Sequence, residues 1–309
     1  MNSSRPAPRK LISLLLVSLV LGLGVAQPAF AAYPMTITHA LGETQLEKQP
    51  ERVIVFDFGA LDTLDALGVE VIGLPKTLVP AYLSKYNDAR YANVGSLQEP
   101  DWERIYALKP DLILISSRQS SLYAEFEAIA PTVYVGVDTA RYMESFAENV
   151  TLLGRIFGKE EEVEEKLAAI EEKVAQIREK APAAGRALVV LANDGKVSAY
   201  GPGSRYGLIH DDLGFAPADA NIVSSTHGQS ISFEYILQQD PDILFVIDRT
   251  AAIGGQSSAQ AIIENRLVQL TKAYENDKIV YLEPEVWYLS GGGLVSVSRM
   301  LDQVSAALD

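Results

Sequence analysis

Two arginines stand at matched places in a chain that repeats one segment. Trp102-Glu-Arg-Ile-Tyr-Ala-Leu-Lys-Pro-Asp-Leu-Ile-Leu-Ile-Ser-Ser-Arg118 returns, at one constant offset, as Phe233-Glu-Tyr-Ile-Leu-Gln-Gln-Asp-Pro-Asp-Ile-Leu-Phe-Val-Ile-Asp-Arg249. Each copy reads as an aromatic-Glu start, a short apolar helix, a Pro-Asp stop, a buried apolar strand, and an Arg at the strand's carboxyl end. Ligands of open α/β sheets sit beyond the carboxyl ends of the strands, so Arg118 and Arg249 are expected to face one cleft and hold an anion there. A single arginine in such a place is most often a surface residue; the matched pair is what argues for a site. Arg205, in Gly201-Pro-Gly-Ser-Arg-Tyr-Gly207, is a third candidate, because glycines let the backbone approach a ligand. That loop is not a phosphate-binding P-loop, and Gly-Pro-Gly is also an ordinary turn.

The chain has no Cys and only three His, so thiolate metal sites are excluded and imidazole donors are few. His39 falls in an N-terminal strand, and His210, in Leu208-Ile-His-Asp-Asp-Leu-Gly214, reads as a packing or capping residue. His227 lies in the polar loop Ser224-Ser-Thr-His-Gly-Gln-Ser230, just ahead of the second repeat helix. Tyr288 lies in Glu285-Val-Trp-Tyr-Leu-Ser-Gly-Gly-Gly293, which reads as a loop before the last helix. A solvated His and a packing Tyr are the ordinary alternatives. Together the two offer an imidazole nitrogen and a phenolate oxygen, a pair that Fe(III) accepts if other donors fill the remaining positions. That suits a metal arriving as a chelate. A bare Zn or Mn carrier would need more His and carboxylate than the loops hold. Glu103 and Glu234 open the two repeat helices, where a carboxylate stabilises the N-terminus by roughly 0.3–1 kcal/mol. As a symmetric pair they could also dock two cationic sockets on a partner with matching two-fold symmetry.

The elements that must position these residues follow from hydrophobic pattern. Residues 33–39 alternate like a strand, Arg52–Phe56 is a second strand, Asp57–Gly68 an amphipathic helix closed by Gly, and Val69–Leu74 a returning strand. Leu112–Ile115 and Thr132–Val137 complete a first, mostly parallel sheet. Lys159–Lys180 is rich in Glu and Lys but carries Val163, Leu167, Ile170, Val174 and Ile177 on one helix face. It reads as a strut between the two copies of the repeat. Arg186–Leu191, Val197–Tyr200, Ile243–Ile247 and Ile279–Leu282 are strands of a second lobe, closed by a helix from Leu294 to Leu308. Arg5, Arg9 and Lys10, an apolar run from Leu11 to Val25, and Ala29-Phe-Ala31 have the parts of a cleaved secretory signal. The expected division is a signal peptide over 1–31, an N-terminal α/β lobe over 32–157, a connecting helix over 158–182 and a C-terminal α/β lobe over 183–309. With no Cys at the cleavage point, lipid attachment through an N-terminal Cys is closed, and a soluble periplasmic protein is expected. The net charge is −14, and residues 1–31 hold basic but no acidic side chains, so nucleic acid and anionic lipid are poor partners.

Arg52-Val-Ile-Val-Phe-Asp-Phe-Gly-Ala-Leu-Asp-Thr-Leu-Asp-Ala-Leu-Gly68, the Trp102–Ile115 segment, the strut and Phe233–Ile247 resemble the class III periplasmic binding proteins of ABC importers for iron siderophores and vitamin B12. The resemblance spans the mature chain and is strongest to the catecholate (enterochelin) uptake branch. It implies two Rossmann-like lobes with mostly parallel sheets joined by one long backbone helix. It implies a monomer, not an enzyme, that captures a ferric catecholate siderophore and delivers it to an inner-membrane ABC permease. Arg118, Arg205 and Arg249 would then hold catecholate oxygens. His227 and Tyr288 would bind Fe(III) when the siderophore leaves positions open, with no intrinsic cofactor, and Glu103 and Glu234 would dock the permease. Haem or cobalamin binding on the same fold is the alternative. A secreted hydrolase using Ser225, His227 and Asp248 is a further one, weakened by the absence of a Gly-x-Ser-x-Gly elbow.

Overall fold

The first half of the chain begins with a hairpin, β1 (Met35–His39) and β2 (Gly42–Leu46), and continues through β3 (Val53–Val55), α1 (Phe58–Ala66), β4 (Gly73–Leu74) and β5 (Ala92–Asn93). Then come α2 (Trp102–Leu108), β6 (Leu112–Ile115), α3 (Tyr123–Glu127), β7 (Thr132–Tyr134), α4 (Tyr142–Phe157) and α5 (Glu160–Lys180). This is a computed structural model, which describes residues 1–2, 33–223, 225–256 and 258–308. All but the first two residues of the expected signal segment 1–31 lie outside the described residues, and none of the described helices is long and apolar enough to cross a membrane.

The first sheet has the order β5-β4-β3-β6-β7 and is parallel throughout. Its central strands β3 and β6 are apolar and buried along their whole length, as strands covered on both faces must be. The chain builds outward from β3 through β4 to β5, then returns to the other side of β3 for β6 and β7. The reversal therefore falls between β3 and β6, and a crevice opens there beyond the strand ends.

The second half repeats that plan with β8 (Arg186–Asn193), β9 (Lys196–Tyr200), α6 (Leu208–Asp211), β10 (Ala216–Pro217), β11 (Gln229–Ile231), α7 (Phe233–Gln239) and β12 (Ile243–Asp248). It ends with α8 (Arg249–Ala252), α9 (Ala259–Ile263), α10 (Lys272–Glu275), β13 (Ile279–Leu282), α11 (Pro284–Leu289) and α12 (Leu294–Ala306). The sheet order is β11-β9-β8-β12-β13, with β10 paired to β8. Here β9 runs antiparallel to both neighbours, while β8, β12 and β13 are parallel. The reversal falls between β8 and β12, the counterparts of β3 and β6.

The repeat extends to its caps. Helices α2 and α7 both stop on a non-glycine residue in the left-handed region, Lys109 at φ 47 and Asp240 at φ 43. The following Asp111 accepts the Arg52 backbone N–H at 2.7 Å, and Asp242 accepts that of Arg186 at 2.8 Å. In return the Arg52 guanidinium donates to the Leu108 and Lys109 carbonyls, and that of Arg186 to the Gln239 and Asp240 carbonyls. Those carbonyls are the orphan acceptors of a helix end, so each repeat helix is pinned to its central strand by one reciprocal Arg/Asp exchange. The exchange in the second half needs glycine before Arg186. A Cβ on Gly185 would come within 2.6 Å of the Asp242 carboxylate, and φ there is +89°.

The expected strut is α5, and its stripe is as read: Val163, Ile170 and Ile177 are buried, and Leu167 and Val174 partly so. It packs against both α4 and α12. One apolar cluster runs from Phe146 and Val150 of α4, through α5, to the second sheet and α12. The N-terminus of α12 is held by the first half: Asp62 of α1 accepts the Val295 and Ser296 N–H groups at 3.0 and 2.9 Å, and Tyr82 donates to the same carboxylate at 3.0 Å. The glycine run before α12 permits this approach, since a Cβ on Gly293 would lie 2.3 Å from Asp62.

Candidate functional site

Arg118, Arg205 and Arg249 converge on one residue, Tyr288. Arg118 follows β6 on a 3-10 turn (Ser117–Leu122), steadied by the Ser116 N–H donating to Gln119 Oε1 at 3.1 Å. Arg205 is carried by a tight loop in which the Ser204 hydroxyl donates to the Gly201 carbonyl at 2.6 Å and Gly203 N–H donates to Asp211 at 2.6 Å. Arg249 opens α8 directly after β12, where Asp248 caps the helix. Tyr288 does not lie in a loop as the glycine-rich sequence suggests: Pro284 at the first helical position sets φ in advance, and α11 forms from it.

The Tyr288 carbonyl, near the carboxyl end of α11, accepts from Arg118 Nη2 at 2.8 Å and from Arg205 Nη2 at 2.7 Å. One guanidinium arrives from each half of the chain. The Tyr288 phenol oxygen accepts from Arg249 Nε at 2.8 Å, and the Arg205 guanidinium lies 4.4 Å from the ring centroid. Beneath them lies an aromatic floor, Tyr200 against Tyr206 at 4.7 Å and Tyr206 against Trp287 at 6.3 Å. Burial pushes the Tyr288 phenol up, but the Arg249 hydrogen bond and the charges of Arg205, Arg249 and Arg118 outweigh it and hold the phenol below its ordinary value. Arg118 is lowered, first by burial and then by the like charge of Arg205. Three cations held this close repel one another, and an anion entering the cluster relieves that repulsion.

Asn193, at the end of β8, accepts from Arg249 Nη1 at 2.9 Å and fixes its orientation. Nothing in a lone Asn after an apolar strand marks this role in the sequence. Asn193→Ala is expected to weaken anion binding roughly three- to tenfold, with no further loss in an Arg249→Ala background. A titration of the four proteins in that cycle checks it, and additive losses would show that Asn193 acts elsewhere.

His227 is exposed in the turn before β11, and its backbone N–H donates to Ser225 Oγ at 3.2 Å. Among the described residues no hydrogen bond joins its ring to Tyr288 or the arginines. The next residue, Gly228, packs on the Tyr200 ring, which puts the turn at the rim of the aromatic floor. His210 is buried with Nδ1 3.0 Å from the Phe215 carbonyl, the packing role read from its sequence setting. His39 Nε2 lies 3.0 Å from Thr44 Oγ1 within the hairpin. Both carboxylate oxygens of Asp248 take backbone N–H groups, of Ala251 at 2.9 Å and Ala259 at 2.8 Å, so the acid that a Ser225-His227-Asp248 triad needs is engaged elsewhere. Among the described residues no group of three or more His, Asp or Glu could hold a metal ion. Glu103 and Glu234 are exposed on the first turns of α2 and α7, and neither forms an ion pair among the described residues.

The family described as periplasmic binding protein matches residues 53–286. The petrobactin-binding protein YclQ of Bacillus subtilis is 52% identical over 280 residues, 89% of this chain and 88% of its own. Its crystal structure superposes with a TM-score of 0.87, covering 89% of this chain and 98% of that one. The ferric-anguibactin-binding protein FatB of Vibrio anguillarum is 37% identical, covering 88% of this chain and 86% of FatB. The periplasmic catecholate-siderophore binding protein VctP of Vibrio cholerae is 36% identical with a TM-score of 0.84, covering 88% of this chain and 99% of that one. With two α/β halves, an arginine from each meeting at one tyrosine, and relatives alike over nearly the whole described chain, this protein belongs to the periplasmic binding protein family.

Proposed function

We propose that this chain captures ferric catecholate siderophores between its two halves and delivers them to an inner-membrane ABC permease. The observation that carries the reading is the convergence of Arg118, Arg205 and Arg249 on Tyr288. A ferric catecholate is a bulky anion whose ring oxygens accept charge-assisted hydrogen bonds, each worth about 1.5–3 kcal/mol. YclQ is named for petrobactin, FatB for ferric anguibactin and VctP for a catecholate siderophore, which supports the same kind of cargo here. Fe(III) enters as part of the chelate; the protein brings no cofactor of its own and works by binding and release rather than turnover. Tyr288 and His227 serve as iron donors for complexes that leave coordination positions open. The 32–157 and 183–309 halves act as the two jaws, with 158–182 as backbone, and the mature monomer reaches the periplasm after loss of residues 1–31.

Trp287 is the reporter for the test. It is buried beside Tyr288, with Nε1 donating to Gln303 at 3.1 Å, whereas Trp102 of α2 packs on Phe126 of α3. Saturable quenching by a ferric bis-catecholate, with ferric hydroxamate and haemin inert, is the expected result. A response to haemin or hydroxamate alone would overturn the cargo.

Glu103 and Glu234 supply the docking charges. Glu103→Lys with Glu234→Lys is expected to cut uptake into cells by about tenfold or more, since like charges facing each other suppress association. Binding in solution should stay unchanged. Full uptake by the double variant would remove both residues from the docking surface.

A further inference from the structure

Helix α12 is capped from the opposite half of the chain. A helix is ordinarily capped by the side chain just before its first turn, but before α12 stands Gly293, which has none. Asp62 of α1 takes that place. Val295 N–H donates to its Oδ1 at 3.0 Å and Ser296 N–H to its Oδ2 at 2.9 Å, while the next residue, Thr63, accepts Leu294 N–H at 3.2 Å. The Tyr82 hydroxyl also donates to Oδ2, and the carboxylate is fully buried. Burying a charge makes this an expensive cap, since Ser or Asn at the helix's own start would satisfy the same N–H groups. What the borrowed cap adds is a fixed distance between the halves.

The arginine cluster depends on that distance. On one side, α1 begins just after β3, and the Phe56 N–H donating to the Leu114 carbonyl at 2.8 Å ties it to β6, which leads into Arg118. On the other, the Ser296 hydroxyl donates to the Ser290 carbonyl at 2.6 Å, just past Tyr288, where Arg118, Arg205 and Arg249 meet. The two backbones touch between these points. A Cβ on Gly59 would lie 3.0 Å from the Gly292 carbonyl carbon, the Gly293 nitrogen and the Ser290 oxygen. We propose that Asp62 is a positioning residue of the anion site, which sets how far Arg118 of the first half stands from Arg205 and Arg249 of the second without touching the ligand. A ligand held by both halves feels that distance, and one held by the second half alone does not. This assignment rests on the siderophore reading above.

The test is a set of double-mutant cycles read by equilibrium dialysis against a ferric bis-catecholate, which needs no reporter near α12. Asp62→Ala is expected to weaken binding about tenfold in the otherwise wild-type protein and in an Arg249→Ala background, but less than about twofold in an Arg118→Ala background. Asp62→Asn keeps an acceptor oxygen for α12 and is expected to recover most of the loss. Ser296→Ala leaves the backbone N–H on Asp62 but cuts the link to Ser290. It should show the same dependence on Arg118, and it carries the test if Asp62→Ala does not fold. Equal losses in all three backgrounds, as a general loosening of the fold would give, or no loss in any of them, overturn the proposal. Failure of the wild type to bind the bis-catecholate overturns the siderophore reading itself, and this assignment with it.

Discussion

Arg249→Ala is expected to lower the affinity for a ferric bis-catecholate by about 10- to 100-fold, the value of one or two charge-assisted hydrogen bonds. Arg249 is the arginine whose loss acts twice. It removes a donor to the ligand, and it removes the hydrogen bond and part of the charge that lower the Tyr288 phenol. Arg118 and Arg205 differ, because they share one acceptor, the Tyr288 carbonyl. Their single substitutions to Ala are therefore expected to be less than additive when combined. Titration at low and high salt checks the electrostatic origin. The wild-type affinity should fall with ionic strength more steeply than that of Arg249→Ala, since partly buried charges are screened less but the approach of the anion is not. A loss of less than twofold in Arg249→Ala would remove the arginine cluster as the binding determinant.

The cluster is held ready before any ligand arrives. Three guanidiniums at the ends of unrelated segments would spread apart if nothing held them. The carbonyl of Tyr288 and the amide of Asn193 hold them instead, as neutral acceptors that a charged oxygen can replace. The single apolar cluster that runs from α4 through α5 to α12 keeps the two halves in register around that point. Little ordering is then left for binding to impose.

The repeat, the strut and the pair of strand-end arginines were legible because each is written in side chains with a period. The apolar runs of β6 and β12, the Pro-Asp stops and the stripe of α5 all repeat or alternate, and burial follows them. Other parts carry no such mark. Strand β2 (Gly42–Leu46) is half polar and is defined by its partner β1. The run Val69–Leu74 yields only Gly73–Leu74 as strand β4, because β4 needs only two residues to pair with β3 and β5. Helix α11 was hidden by the glycines that follow it. The acceptor for Arg118 and Arg205 is a main-chain carbonyl, which every residue has and no sequence pattern announces.

Tyr288→Phe combined with His227→Ala is expected to weaken a tetradentate ferric complex by roughly a hundredfold, and a hexadentate one by less than about tenfold. The geometry makes the double variant a clean probe. Phe retains the main-chain carbonyl, so Arg118 and Arg205 keep their acceptor, and only Arg249 loses a partner. His227 is exposed and its ring is bound to nothing among the described residues, so its removal costs little stability. The lowered phenol sets a sign for pH. A tyrosine donates to Fe(III) as phenolate, so tetradentate binding should strengthen as pH rises toward the lowered phenol value and level off above it. That slope should vanish in Tyr288→Phe, together with the visible phenolate-to-iron charge-transfer band. A hexadentate complex, with no coordination position to offer, should show neither in the wild type. Equal losses for the two complexes, or a charge-transfer band surviving in Tyr288→Phe, would leave Tyr288 as a partner of the arginines and not of the iron.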